Sequence, residues 1–188
     1  MPNLNLSQLT DEQIARLVQA GKIENFGELV KRYEAKMKRY AKKFLFAYED
    51  AEDVVQEVFI KAYTNIQSFN SSKKFSPWLY RIAHNEFINA IKKRGKESLS
   101  FFNFDTLLPN ITAKDNIKDE IDRQELRAVL NKCLDKIAPK YREPLVLYYF
   151  EGFSYKEIAG ILRIPVSTVG IRLKRGKKLM KSLLPKTI

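Results

Sequence analysis

Cysteine is nearly absent from this chain of 188 residues: Cys133 is alone. No disulfide can therefore form within it, and a cysteine-built metal site is excluded. Histidine is equally scarce. His84 has no His, Cys or carboxylate set at ligand spacing beside it, so a zinc or catalytic histidine centre is not expected. Glycine and proline number seven each, too few for a collagen-like or broadly disordered chain. No apolar run approaches the roughly 18 residues of a membrane span. The opening MPNLNLSQLTDEQ lacks a basic region followed by an apolar core, so neither a signal peptide nor membrane insertion is expected, and the location expected is cytoplasmic. No H-E-x-x-H, glycine-rich phosphate loop or Cys/His cluster occurs, so the chain does not read as an enzyme and no cofactor is expected.

What the chain has is positive charge. Lys and Arg number 34 against 22 Asp and Glu, a formal net charge of +12. Such a surplus suits a polyanion, nucleic acid foremost. It is unevenly spread: residues 26–95 are net +6, residues 96–120 net −2, and residues 121–188 net +9. Two basic blocks on a slightly acidic connector read as two binding modules and a tether.

The blocks carry helical periodicity. Thr10 and Gln13 fit a capping box ahead of Ile14, Leu17 and Val18. Further stripes run through Phe26, Leu29, Val30, Tyr33, Met37 and Tyr40, then through Ala51, Val54, Val55, Val58, Phe59, Ala62 and Ile66. A fourth runs from about Pro77 to Lys93. The connector Ser98–Ala113 has no clean period and contains Pro109, which predicts an extended linker. Helical spacing resumes near Asp122 with Leu126, Val129, Leu130, Cys133, Leu134 and Ile137. Cys133 thus reads as a small core residue. Pro139 is expected to end that helix, Pro144 to open the next and Gly152 to close it. The expected fold is all-α: two small helical domains, residues 1–97 and 122–188, joined by a flexible linker at 98–121.

The sharpest local pattern is Ser154 to Leu184. Ser154-Tyr-Lys-Glu157 is a capping box, Ile158, Ala159 and Leu162 face inward, and Arg163-Ile-Pro165 makes a tight turn. A second helix follows with Val169, Leu173, Leu179 and Leu183 as core contacts and Arg172, Lys174, Arg175, Lys177, Lys178 and Lys181 on its other faces. This is a helix-turn-helix: polar groups near the start of the second helix reach base edges, and cations further along neutralise phosphates.

Several ordered motifs together resemble a known family. Thr10-Asp-Glu-Gln13, Phe26-Gly-Glu-Leu29, Asp50-Ala-Glu-Asp-Val-Val-Gln-Glu-Val-Phe59 and Lys74-Phe-Ser-Pro-Trp78-Leu-Tyr-Arg81-Ile-Ala-His-Asn85 look like region 2 of extracytoplasmic-function sigma factors, in the sigma-70 family. Pro139-Lys-Tyr-Arg-Glu143, Tyr155-Lys-Glu-Ile-Ala159 and Ile164-Pro-Val-Ser-Thr-Val169 look like region 4. The resemblance implies an alternative sigma factor that binds core RNA polymerase and directs it to −35 and −10 promoter elements at initiation, as part of a stress response. It implies that Asp53, Gln56 and Glu57 dock on the β′ clamp helices and that the second domain meets the β flap. It places −10 recognition at Phe69, Asn70, Ser71, Ser72, Lys73 and Lys74, with Arg81 and Asn85 reaching the same strand. Single-stranded bases are held by aromatic and cationic surfaces, and an extruded base by a pocket. Trp78 and Tyr80 could serve there or in the core.

By the same resemblance, −35 DNA binding falls at Ser167, Thr168, Ile171, Arg172, Lys174, Arg175 and Lys178, with Ser167, Thr168, Ile171, Lys174 and Arg175 as the candidate readers. Arg39, Lys42 and Lys43 form a further basic cluster, and a second, Lys92, Lys93, Arg94 and Lys96, lies past Asn85 and would hold backbone phosphates upstream of the melted region. The linker would enter the polymerase cleft, and an anti-sigma factor would be a further partner. Gly170 departs from the pattern, because many members carry a basic residue there, and it puts the −35 preference in doubt. Three other readings fit parts of the chain. A stand-alone helix-turn-helix regulator would account for residues 139–184 but not for the Asp50–Phe59 motif. A nucleic-acid enzyme lacks its motifs. A relative that binds polymerase without promoter specificity would fit Gly170 alone.

Overall fold

The computed structural model describes residues 5–45, 51–97 and 123–184, with the side chains of 94–97 and 123–128 left aside. Every regular element among the described residues is helical. The chain divides into two compact units, one ending at Ile91 and the other beginning at Lys92, the short stretch Gly160–Arg163 apart. The connector Ser98–Ala113 and the cations Arg94 and Lys96 lie outside what is described.

In the first unit, α1 (Asp11–Gln19) is sealed at both ends by its own sequence. The Thr10 hydroxyl accepts from the Gln13 backbone N–H while the Gln13 side chain accepts from the Thr10 backbone N–H, the expected capping box. At the other end Gly21 takes φ +92, letting its N–H reach the Val18 carbonyl and the Lys22 N–H reach that of Leu17. That double bond is a Schellman closure, and it requires the left-handed conformation glycine adopts at least cost. Helices α2 (Phe26–Leu45), α3 (Ala51–Thr64) and α4 (Phe75–Glu97), the last as far as Ile91, complete the unit. The stripe on α2 is longer than its first half suggests: Ala41, Phe44 and Leu45 are buried with Leu29, Tyr33, Met37 and Tyr40. The Tyr40 ring lies 5.0 Å from Phe87 and 5.2 Å from Tyr80, so Tyr80 belongs to the core. Each such buried ring contributes about 1.5–3 kcal/mol.

A polar clamp ties the N-terminal segment to α2. The Arg32 guanidinium donates to the carbonyls of Leu6 and Leu9, to Asp11 at 2.8 Å and to Glu28 at 3.0 Å. The Tyr33 hydroxyl donates to the second Asp11 oxygen. Burial, and then this bond to Asp11, push the Tyr33 hydroxyl pKa well above its ordinary value.

The second unit contains α5 (Arg123–Asp135), α6 (Pro139–Leu145), the first part of α7 (Tyr155–Leu162), as far as Ala159, and α8 (Val166–Leu183). Two proline expectations are corrected here. Helix α5 ends at Asp135, and Pro139 opens α6 at its first position, where the missing N–H costs nothing. Pro144 lies inside α6, where it removes a helical hydrogen bond. The chain then widens into a π turn over Val146–Phe150 before Gly152 (φ +74) reverses it. Cys133 is buried, and burial raises its thiol pKa. Gly176 is also buried, because α6 lies directly against it: a Cβ there would sit 3.0 Å from the Leu145 side chain.

Candidate nucleic-acid interface

Helix α3 separates its faces cleanly. Val55, Val58, Phe59 and Ala62 are buried, while Asp53, Gln56 and Glu57 are exposed on the opposite side. Sequence reasoning missed Ile60, which continues that exposed line and is 53% exposed. Its spacing from Gln56 and Glu57, four and three residues along a helix, was the available signal. Helix α3 is fixed to α4 by Lys61, whose ammonium meets Glu86 at 2.6 Å.

The segment between α3 and α4 is closed by aromatics. Phe69, Phe75 and Trp78 form a triad with ring centroids 5.2–5.4 Å apart. Phe69 is only 4% exposed, so in this conformation its ring shapes the segment from beneath and offers no face to a base. Trp78, the third ring of the triad, is half-buried. Between the two phenylalanines, Asn70, Ser72, Lys73 and Lys74 are exposed and Ser71 is half-buried. The Asn70 side-chain oxygen accepts from both the backbone N–H and the hydroxyl of Ser72, a local turn that lifts the lysines outward. Arg81 and Asn85 follow Trp78 by three and seven residues on α4, so the triad joins their face to the segment.

The helix-turn-helix of the second unit is built from local signals. Ser154 and Glu157 make the expected box: the Ser154 backbone and hydroxyl donate to the Glu157 carboxylate, and the Glu157 N–H donates back to Ser154. Helix α7 ends on Arg163 at φ +53, with the Ile164 N–H bonded to the Ala159 carbonyl. A non-glycine residue in that conformation costs about 1 kcal/mol, which the turn sustains to set the start of α8. Ile158, Ile161 and Leu162 of α7 are buried, as are Val169 and Leu173 of α8. Leu179 and Leu183 are half-buried.

On the outer face of α8, Ser167, Ile171, Lys174 and Lys178 are exposed along one helical line. Thr168 and Arg172 are half-buried beside it, and the exposed Arg175 donates to the Tyr141 hydroxyl at 3.4 Å. Two apolar side chains are exposed near the start of α8, Val166 at 45% and Ile171 at 53%, the latter on the same line as Ser167. Gly170 contributes no side chain there, and its nearest neighbour in the unit is the Tyr155 ring.

Two family models match the chain: Sigma-70 region 2 over residues 29–97, and Sigma-70, region 4 over residues 127–180. The ECF RNA polymerase sigma factor SigW of Bacillus subtilis is 35% identical over 181 residues, spanning 89% of this chain and 92% of that protein. The ECF RNA polymerase sigma-E factor of Escherichia coli K12 is 33% identical over 180 residues, 91% of this chain and 92% of its own. Among solved structures, CnrH in complex with the cytosolic domain of CnrY is similar with a TM-score of 0.68 and 25% identity, covering 92% of this chain and 96% of that one.

Proposed function

The chain belongs to the extracytoplasmic-function sigma factors of the sigma-70 family, and from that premise we propose which of its surfaces performs each step. It is an alternative sigma factor that binds core RNA polymerase and directs it to promoter DNA. Asp53, Gln56 and Glu57 dock on the β′ clamp helices, and Ile60 adds an apolar contact at the end of the same line. The observation that carries this assignment is the exposure of all four on the face of α3 opposite its buried stripe. The polymerase performs the chemistry, and this chain, a cytoplasmic protein, supplies recognition alone.

Asn70, Ser71, Ser72, Lys73 and Lys74, with Arg81 and Asn85 beside them, receive the separated −10 strand. Phe69 serves as the floor of that segment. Lys92 and Lys93 are exposed at the far end of α4 and hold backbone phosphates. In the second domain, Ser167, Thr168, Ile171 and Lys174 face base edges in the −35 major groove, while Arg172, Arg175 and Lys178 neutralise phosphates. With Ile171 exposed and Gly170 bare, the start of α8 offers an apolar contact to thymine methyl groups, while Lys174, one turn on, can reach guanine. The domain limits 1–97, 98–121 and 122–188 follow this division, with the second domain on the β flap. By likeness to CnrH, solved with the cytosolic domain of CnrY, a protein regulator covers this chain as an anti-sigma factor.

Binding to purified core RNA polymerase tests the docking face, comparing wild type with Asp53→Ala/Gln56→Ala/Glu57→Ala. Tight binding by the wild type, lost in a folded triple variant, is expected. A folded wild type that binds duplex DNA and ignores polymerase would refute it and leave a stand-alone helix-turn-helix regulator.

A further inference from the structure

Helix α1 lies outside the stretch matched as region 2, which begins at residue 29. One of its faces nevertheless tracks the whole segment that we assign to the −10 strand. The Gln19 amide donates to two carbonyls at once, Ile66 and Phe69, each at 2.8 Å. Gln67 answers by donating to the Gln19 carbonyl at 3.2 Å. Arg16, one turn earlier, donates to the Ser71 carbonyl at 3.5 Å. Glu12, a further turn back, accepts the Phe75 backbone N–H at 2.9 Å, where α4 begins. Positions 19, 16 and 12 are spaced as one face of a helix, and their partners run 66, 69, 71, 75 in the opposite chain direction.

The chemistry of this register is selective. Apart from Gln67, every side chain involved belongs to α1, and every group it contacts in the segment is main chain. The segment's backbone is fixed by α1, while the side chains of Asn70, Ser72, Lys73 and Lys74 are not engaged by that helix and are exposed. A cradle for an extruded base needs this arrangement, because a segment ordered only on binding would lose affinity to its own ordering.

We infer that α1 is the positioning element of the −10 site, with Gln19 and Glu12 as its positioning residues. This rests on the assignment of residues 70–74 to the −10 strand. Gln19→Leu removes two donors, and Gln19→Glu keeps the shape while placing an acceptor against two carbonyls. Glu12→Leu removes the acceptor at the start of α4, whereas Glu12→Gln retains one.

The test uses full-length protein bound to core polymerase, with single-stranded oligodeoxynucleotides carrying the −10 element of a promoter that this holoenzyme transcribes, and base-scrambled versions of them. Gln19→Leu, Gln19→Glu and Glu12→Leu should each weaken the cognate strand by about tenfold, the size of one or two hydrogen bonds. They should also narrow its advantage over the scrambled strand, with polymerase affinity and −35 duplex binding unchanged. Glu12→Gln should behave as wild type. A loss of thermal stability with the cognate-to-scrambled ratio intact would overturn the inference, as would Gln19 variants with wild-type affinity. Lys73→Ala/Lys74→Ala separates the two levels: if it too leaves strand binding unchanged, the −10 assignment itself fails.

Discussion

The two glycines inside α8 should respond in opposite ways to alanine. At an interior helix position Gly→Ala gains about 1 kcal/mol from propensity alone. At Gly170 the new Cβ would meet only the Tyr155 ring, at 3.7 Å, an ordinary contact. Gly170→Ala should therefore stabilise the second unit by most of that gain. At Gly176 the Cβ would lie 3.0 Å from both Cγ and Cδ1 of Leu145 and 3.1 Å from the Tyr141 carbonyl oxygen. The leucine can rotate, but a main-chain oxygen moves only with α6. Overpacking of this kind costs about 1–3 kcal/mol, so it cancels or exceeds the propensity gain. The variants should differ by about 1–3 kcal/mol in urea unfolding followed by circular dichroism. Equal stabilisation by both alanines would refute the close approach of α6 and α8.

Tyr33 should make the first unit sensitive to alkali. Its folded pKa is raised, so its contribution is complete below the ordinary value near 10 and declines as pH rises above it, by about 1.4 kcal/mol per pH unit. Tyr33→Phe should flatten that decline in pH-dependent unfolding, and an unchanged slope would count against the Asp11 clamp. Replacing −35 thymines by deoxyuridine, which deletes only the methyl group, should weaken wild-type binding about fourfold at the contacted position. Ile171→Ala should be indifferent there, and sensitivity equal to wild type would remove Ile171 as the reader. Cys133, buried and raised in pKa, should resist thiol labelling in the folded protein and react once urea unfolds the second unit.

Helices were legible because capping and periodicity are local. Thr10–Gln13 and Ser154–Glu157 show in the chain as they do in space. The buried stripes of α2 and α3 followed from spacing, and so did the exposure of Asp53, Gln56 and Glu57. Proline was less legible. Pro139 and Pro144 permit either a helix start or an interruption, and packing of α6 on α8 decides between them. Phe69 read as part of the −10 surface, and only the ring contacts with Phe75 and Trp78 place it beneath that segment. The face of α1 gave no sign at all, because Glu12, Arg16 and Gln19 look like any solvated polar stripe. Their partners lie dozens of residues away, and nothing in local spacing encodes that distance.

That distance also bears on the order in which the molecule assembles. The capping box and glycine closure of α1 join residues within a few positions of one another and can form as soon as that stretch exists. The bonds from Gln19 span 47 and 50 residues, and that from Glu12 spans 63. Contacts closing such long loops are entropically costly until the intervening chain has folded. During synthesis, the helix waits for its partner, and the segment of residues 66–75 acquires its shape only after α2 and α3 have packed. Promoter-reading geometry is thus among the last features of the first unit to mature, and a chain arrested before α4 would leave Glu12 of α1 without the Phe75 N–H it holds.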